Sequence, residues 1–275
     1  MIFQCSKNPD APKTLFFRSP EPTFLSPKRR AVVVDCEMVG CEDGRDEAVH
    51  LSAIDFITGE VLVNSIVKPH QPVMEWRTNF TGLSPATMAM ATSRGETLEG
   101  ASGARRELWK HIDENTILVG QSLNFDLNVL GVSHSVVVDS MILTHEAVFK
   151  GKKGFKRWGL QELCKDILGL EIRQARNGTS HDSLEDCFAT RELVLHCLRS
   201  PASLEFWAGK ARRPRYKSSN KKRSKGKPSQ NSSVPRRSLM SESHWYNEES
   251  DDEVLRWSDV VDYDVWPKSP PDWSD

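Results

Sequence analysis

The stretch AVVVDCE, residues 31–37, places four apolar residues directly before two acids. A short continuous apolar run of this kind is typical of a β-strand buried on both faces. Side chains two positions apart on a strand share a face, so Asp35 and Glu37 would point together and Cys36 the opposite way. Charged groups avoid the end of a buried strand unless they are paired or bind a metal. The ordinary alternative is that Asp35 caps a turn while Glu37 is solvated, and the pair alone does not decide between the two.

Outward from this strand, periodicity and turn signals predict an α/β fold. Residues 49–56 and 61–67 are predicted to be two further strands, with Thr58-Gly59 as the tight turn between them. Short strands are then expected at residues 116–119 and 136–138, and helices at residues 98–112, 125–130, 140–149, 160–168 and 183–198. Three antiparallel strands followed by alternating helices and strands predict a mixed five-stranded sheet flanked by helices.

Composition divides the chain into four parts. Residues 1–29 are predicted to be a loose leader, residues 30–200 the folded domain, residues 201–240 a disordered basic linker, and residues 241–275 a disordered acidic tail that contains four tryptophans. The formal net charge is −3 over residues 1–200, +11 over the linker and −9 over the tail. The overall net charge of −1 therefore conceals a strongly polarised C-terminal region.

Neither a membrane nor an oxidising compartment is indicated. No apolar stretch reaches the roughly 18 residues of a membrane span, and the N-terminus lacks the apolar core of a secretory signal. The six cysteines include no C-x-x-C pair, which favours reduced thiols in an intracellular protein. A zinc site formed by Cys36, Cys41 and His50 is an alternative, but its spacing matches no usual zinc pattern.

Two further acids and a histidine lie in distinctive settings. Asp126 falls at the start of a predicted helix, where an Asp also favours the helix dipole. Asp186 lies about one turn into the last helix, His181 precedes it by five residues, and polar residues at 180–183 also fit helix capping. Acids that converge from distant positions repel one another unless a cation holds them together. The set therefore suggests two Mg²⁺ ions roughly 4 Å apart, with a histidine base, for phosphodiester hydrolysis.

Several short segments match a known family in one order along the chain. They are VDCEMVG at residues 34–40, VKP at 67–69, TNFTGL at 78–83, LVG at 118–120, VDS at 138–140 and HDSLED at 181–186. Together they resemble the DEDD superfamily of 3′-to-5′ exonucleases, in the subgroup whose base is a histidine five residues before the last Asp. The first segment is most similar to the Rex-type RNA exonucleases, which include relatives of the interferon-stimulated 20 kDa exonuclease. The resemblance covers about residues 31–198, and ordered agreement of several motifs is far more specific than a single motif.

The resemblance implies an RNase H-like fold and a role for each matching residue. Four acids would be the catalytic ligands of two metal ions, Mg²⁺ or Mn²⁺: Asp35, Glu37, Asp126 and Asp186. His181 would orient and deprotonate the attacking water, and nucleoside 5′-monophosphates would be released one at a time. The substrate-binding residues would be Met38 and Glu37, against the terminal sugar, and Phe80, which would stack on or wall in the end of the strand. An ordinary core aromatic is the alternative for Phe80.

Three positions depart from the family pattern. Gln121 stands where relatives usually carry His, Phe125 where they carry Asn, and Ser180 where they carry Gly. None of the three is a ligand in the family, so activity is expected to survive these changes, while substrate preference near Asp126 is expected to differ.

These observations predict a metal-dependent 3′-to-5′ exonuclease that acts on single-stranded RNA in RNA processing or turnover. The alternatives are a single-stranded DNA exonuclease in repair and a non-catalytic RNase H-like module that binds nucleic acid or recruits partners. Basic clusters in residues 212–227 suggest RNA tethering or an import receptor, hence a nuclear or nucleolar location, with a cytoplasmic one as the alternative. The acidic, tryptophan-containing tail suggests a docking segment for another protein.

Overall fold

Strand β2, Ala31–Cys41, lies inside the main sheet and carries the acid-bearing stretch. The structure is a computed structural model that describes residues 15–23, 27–152, 154, 156–173 and 181–212. Ser180, residues 213–240 of the predicted basic linker and the whole acidic tail lie outside these described residues. Within the described part, no helix is both long enough and apolar enough to cross a membrane.

The elements follow one another from an N-terminal strand to two C-terminal helices. The strands are β1 Phe17–Arg18, β2 Ala31–Cys41, β3 Asp46–Asp55, β4 Val61–Lys68, β5 Val73–Glu75, β6 Thr97–Glu99, β7 Ile117–Gly120, β8 Val132–Ser133 and β9 Val137–Asp139. The helices are α1 Thr78–Thr81, α2 Pro85–Ser93, α3 Gly100–Leu108, α4 Asn124–Leu130, α5 Ser140–Phe149, α6 Leu160–Leu163, α7 Ser183–Arg199 and α8 Pro201–Ala211. Helix α6 continues as a π-helical turn, Cys164–Leu168.

The main sheet is mixed, as the sequence predicts. Its strand order is β6-β4-β3-β2-β7-β9, and β5 pairs with the far end of β2. Strands β2, β3 and β4 form an antiparallel meander, while β7 and β9 extend the sheet in parallel beside β2. The sheet has seven strands rather than the predicted five, because β5 and β6 are three-residue strands that are too short to show an alternating pattern.

Both faces of β2 are covered by helices, which explains its continuous apolar run. Val33 faces a core built with α5, α6, α7 and α8, which contribute residues such as Leu163, Leu193 and Trp207. Val32, Val34 and Cys36 face a second core, formed with α3 and α4. Alternation along the strand therefore carries Asp35 and Glu37 onto the Val33 face, the face covered by α7.

The folded part extends beyond both predicted boundaries. Helix α8 lies inside the predicted linker, and that assignment is wrong for residues 201–212, because Leu204, Trp207 and Ala208 are buried in the core beside α7. The predicted loose leader is also wrong for its described part. There Phe17–Arg18 pairs with Val132–Ser133, and the Arg105 guanidinium lies 4.3 Å from the centroid of the Phe17 ring.

Candidate active site

The two acids of β2 lie where the strand stops being regular. Glu37 is paired with His50 and Asp35 with Ser52 across the β2–β3 ladder, and a β-bulge follows between Glu37 and Met38. The Nδ1 atom of His50 and the hydroxyl of Ser52 each lie 2.8 Å from the hydroxyl of Ser183, the first residue of α7. This network joins β3 to the start of the helix that carries Asp186. His50 thus has a positional role next to the acids.

Asp126 is positioned by the tight turn between β7 and α4. The carboxylate of Asp139 accepts hydrogen bonds from the backbone N–H groups of Ser122 and Leu123, both at 2.9 Å, and so fixes this turn. Ser122 has a φ of 59°, a left-handed conformation that a non-glycine residue adopts only when its surroundings hold it there. The Asp126 carboxylate then accepts a 2.8 Å hydrogen bond from the backbone N–H of Cys36. That bond holds it against the backbone of β2, at the residue between Asp35 and Glu37 in the sequence.

The start of α7 brings the fourth acid and the histidine to the same place. Asp182 caps the helix by accepting hydrogen bonds from the N–H groups of Leu184 and Glu185. Asp186 lies in the first turn and is buried. His181 precedes the cap, and its Nδ1 atom lies 3.7 Å from Asp186 Oδ2.

Phe80 borders the site and also supports it. Its carbonyl accepts a 2.7 Å hydrogen bond from the backbone N–H of His181, and the two rings meet edge to face with centroids 5.7 Å apart. The Phe80 side chain is 54% exposed, so the alternative of an ordinary core aromatic is wrong. An exposed aromatic ring beside His181 is free to contact a nucleotide base.

The five predicted site residues converge. Ligand atoms of Glu37, His181 and Asp186 lie within 4.8 Å of one another. Asp35 and Asp126 border these three residues: Asp35 lies two positions before Glu37 on the same face of β2, and Asp126 is bonded to the backbone of the intervening Cys36. Four carboxylates and one imidazole thus meet where β2, α4 and α7 come together.

Burial and mutual repulsion make it costly for these carboxylates to be ionised together. The pKa of Asp35 is raised well above its usual range, first by burial and then by the charges of Asp126, Asp186 and Glu37. Burial and the charge of Asp186 raise the pKa of Glu37 to about 8. Burial also raises the pKa of Asp126, although the hydrogen bond from Cys36 opposes this rise. The cluster therefore favours protonated carboxyl groups over several adjacent negative charges unless a positive charge is added.

The pKa of His181 is shifted in the opposite direction, downward. Burial, followed by the nearby positive charge of Arg173, lowers the pKa of its imidazole, and the charge of Asp186 only partly offsets the shift. A lowered pKa leaves the ring neutral near neutral pH, which is the state in which an imidazole can accept a proton.

Several residues around the cluster have roles that the sequence did not reveal. Arg173 forms an ion pair with Asp186 inside the site. No short sequence motif contains Arg173, and only the fold brings it into contact with Asp186.

The residues at the other positions of interest have ordinary structural surroundings. Gln121 donates to the carbonyl of Trp158 and so supports a loop, and Phe125 is about half exposed at the start of α4. The side chain of Met38 packs against the core beneath α3 and α4, which leaves its backbone for any substrate contact.

The donor set of this site suits a divalent cation. Carboxylate oxygens are the ligands that Mg²⁺ and Mn²⁺ prefer, and here they are concentrated where their own charges oppose ionisation. A cation bound among Asp35, Glu37, Asp126 and Asp186 would offset this repulsion and stabilise the ionised carboxylates.

Comparison with known proteins connects this geometry to a family. A family model described as RNase T exonuclease matches residues 32–194. Small RNA degrading nuclease 2 of Arabidopsis thaliana is 38% identical over 185 residues, which are 66% of this chain and 37% of that protein. RNA exonuclease 3 of Eremothecium gossypii is 32% identical over 179 residues, which are 64% of this chain and 42% of that protein. The chain thus spans less than half the length of either relative.

A solved structure shows the same fold. The pseudoubiquitin hydrolase–RNA exonuclease module of Saccharomyces cerevisiae Pan2, in complex with AAGGAA RNA, superimposes with a TM-score of 0.56 at 19% identity. The match covers 74% of this chain and 36% of the Pan2 chain. At this identity the likeness concerns the fold alone.

Proposed function

Because the chain belongs to the RNase T exonuclease family, we propose that it hydrolyses single-stranded RNA from the 3′ end and releases nucleoside 5′-monophosphates. The observation that carries this proposal is the convergence of four carboxylates and one neutral imidazole at the junction of β2, α4 and α7. RNA is favoured over DNA because the similar proteins from Arabidopsis thaliana and Eremothecium gossypii are named as an RNA-degrading nuclease and an RNA exonuclease.

We assign the cofactor role to two Mg²⁺ or Mn²⁺ ions, held by Asp35, Glu37, Asp126 and Asp186. When bound, such cations supply positive charge to the phosphate and the leaving oxygen and make a water molecule more acidic. His181 accepts the proton of the attacking water, and its lowered pKa keeps the ring ready to do so. The Cys36 N–H holds the Asp126 carboxylate in its orientation throughout.

Residues around the cluster explain why the enzyme would act at the 3′ end of a nucleic-acid strand. Phe80 offers an exposed ring beside His181 on which the terminal base stacks, in a contact that tolerates any base. The Met38 backbone and Glu37, beside the bulge of β2, lie against the terminal sugar. A non-catalytic nucleic-acid-binding module would have no need for buried acids whose ionisation costs free energy, and the cluster therefore argues against that alternative.

The C-terminal segments extend this proposal beyond the described residues. Residues 213–240 are strongly basic and would tether RNA through its phosphates or bind an import receptor, and the second role would bring the enzyme to the nucleus, with a cytoplasmic location as the alternative. Residues 241–275 combine acids with four tryptophans, a composition suited to docking another protein.

The experiment that tests the proposal compares RNA and DNA of matched sequence. Full-length protein is incubated with 20-nucleotide single strands and Mg²⁺ or Mn²⁺, and the products are separated by chromatography. Nucleoside 5′-monophosphates released faster from RNA would support the proposal. Faster release of deoxynucleoside 5′-monophosphates would favour the DNA alternative, and equal inertness of both strands would favour the non-catalytic one.

A further inference from the structure

Arg173 lies inside the acidic cluster and binds one of its carboxylates with two hydrogen bonds. Its Nη2 atom is 2.6 Å from Asp186 Oδ2, and its Nε atom donates to Asp186 Oδ1 at 3.2 Å. The two side chains are only 14% and 4% exposed. Both carboxylate oxygens of Asp186 are therefore engaged by a guanidinium group, in the paired geometry that makes such contacts strong.

The charge of Arg173 acts on more than its immediate partner. It lowers the pKa of Asp35 and of Glu37, against the larger effect of burial on both groups. Burial would lower the pKa of Arg173, but the hydrogen bond and charge of Asp186, with the charges of Asp35 and Glu37, raise it instead. Arg173 is thus a counter-ion for the cluster as a whole, occupying the electrostatic role of a cation.

The backbone holds Arg173 in this place at some cost. Its φ is 64°, in the left-handed region that side-chain-bearing residues rarely adopt. Two contacts maintain the conformation: Ile172 is fully buried in the core, and the Arg173 N–H donates to Glu185 Oε1 at 3.1 Å. Glu185 is the neighbour of Asp186 on α7, so backbone and side chain of Arg173 both bind the same turn.

We propose that Arg173 is a counter-ion of Asp186 and competes with the divalent cation for this carboxylate. The inference rests on the proposed role of Asp186 as a cation ligand. The guanidinium of Arg173 binds both oxygens of Asp186, and its positive charge repels a second cation there, so the ion pair and a bound cation oppose each other at this carboxylate. Arg173 therefore sets the cation concentration at which the site fills. Its positive charge also reduces the repulsion among the four carboxylates.

The test measures cation binding rather than RNA turnover. Titration calorimetry with Mn²⁺ compares full-length wild type with Arg173→Gln, which removes the charge but keeps a polar side chain of similar reach. Loss of the competitor is expected to tighten Mn²⁺ binding roughly tenfold, within the usual range of coupling between two ligands of one site. In EDTA the variant should unfold at a lower temperature than wild type, and saturating Mn²⁺ should close most of that gap.

Two further variants keep the test decisive. Arg29→Gln removes an arginine that pairs with Asp55 and Glu60, at the end of the β2–β3 ladder away from Glu37. It should leave Mn²⁺ affinity unchanged. Arg173→Lys keeps the positive charge but cannot form the paired hydrogen bonds to both oxygens of Asp186, so its Mn²⁺ affinity should be intermediate. This variant also replaces Arg173→Gln in the test if that protein does not fold.

The outcomes separate this inference from the proposed function. Unchanged or weaker Mn²⁺ binding by Arg173→Gln overturns the inference, as does a loss of Tm that is equal with and without Mn²⁺. If wild type still degrades RNA in that case, only the role of Arg173 is wrong. If neither wild type nor the Arg173 variants bind Mn²⁺, the cation site and the competition are both refuted.

Discussion

At the scale of single residues, the position of each acid depends on one or two backbone contacts. Asp126 approaches the β2 acids because the N–H of Cys36 donates to it, and Asp139 fixes the preceding turn. The sequence predicted the cluster because Asp35 and Glu37 follow an apolar run and the other members fall in recognisable motifs. It could not predict Arg173, whose part in the site arises only when Asp186 is brought beside it by the fold.

The side chain of His181 provides the first prediction. Replacing it by Gln should lower the turnover rate for RNA by roughly 10²–10⁴-fold, because amide nitrogen and oxygen cannot accept the proton of water near neutral pH. Initial rates at saturating Mg²⁺ measure the effect. His196→Gln is the control, since His196 lies near Ser203 outside the cluster and should retain activity. A loss of less than tenfold in His181→Gln would argue against the base role.

The raised pKa of Glu37 predicts how stability depends on pH without metal. The ordinary pKa of this carboxyl is 4.5, and in the folded protein it is about 8, so folding favours the protonated form. The stability linked to this proton is complete below about pH 4.5 and is lost as pH rises through 8. In EDTA, the Tm of wild type should therefore fall as the pH rises from about 5 to about 8.

Glu37→Gln supplies the control for this pH dependence. The Gln side chain cannot ionise, so the fall in Tm should be shallower, with only the raised pKa of Asp35 and its neighbours left to contribute. Saturating Mg²⁺ should also flatten the wild-type curve, because the cation stabilises the ionised carboxylates. Identical slopes for wild type and Glu37→Gln in EDTA would contradict the assignment.

At the scale of elements, long periodic segments were predictable and short ones were not. The continuous apolar run at β2 and the apolar stripe along α7 each reflect burial against a core, so periodicity located them correctly. Strands β5 and β6, with three residues each, derive their conformation from pairing with longer strands rather than from their own pattern. Helix α8 was missed because it directly adjoins the basic linker, whose composition dominates that region.

The cap of α7 gives a prediction at this scale. Asp182 accepts hydrogen bonds from the first N–H groups of the helix that presents Asp186. Asp182→Ala should lower the free energy of unfolding by about 1 kcal/mol, a typical loss for an N-cap. Asp182→Asn preserves the cap and should remain within a few tenths of a kcal/mol of wild type. Urea unfolding measures both, and equal losses in the two variants would show that the negative charge, not the cap, matters.

At the scale of the whole molecule, charge is separated along the chain rather than balanced locally. The basic linker carries +11 and the acidic tail −9, and almost all of both lies beyond Arg212, outside the described residues. The sequence predicts opposite effects for these segments, because the linker would attract phosphates and the tail would compete with them.

Deleting residues 241–275 tests that competition. RNA binding at low salt should become tighter, because the linker would no longer be neutralised by the tail, and the gain should shrink as salt is added. Fluorescence anisotropy with a catalytically inactive Asp35→Ala background avoids degradation of the RNA during the measurement. Equal affinity with and without the tail would refute competition between the tail and RNA for the linker.

The most direct test of the central claim follows a 5′-labelled single-stranded RNA of about 20 nucleotides through time with Mg²⁺. Wild type should produce a ladder that shortens from the 3′ end, and EDTA should abolish it. Asp126→Asn should abolish it as well, whereas Asp55→Asn, at the buried acid that ends β3, should preserve it in protein that remains folded. A ladder that persists in Asp126→Asn, or an inert wild type that still binds RNA and Mg²⁺, would contradict the account.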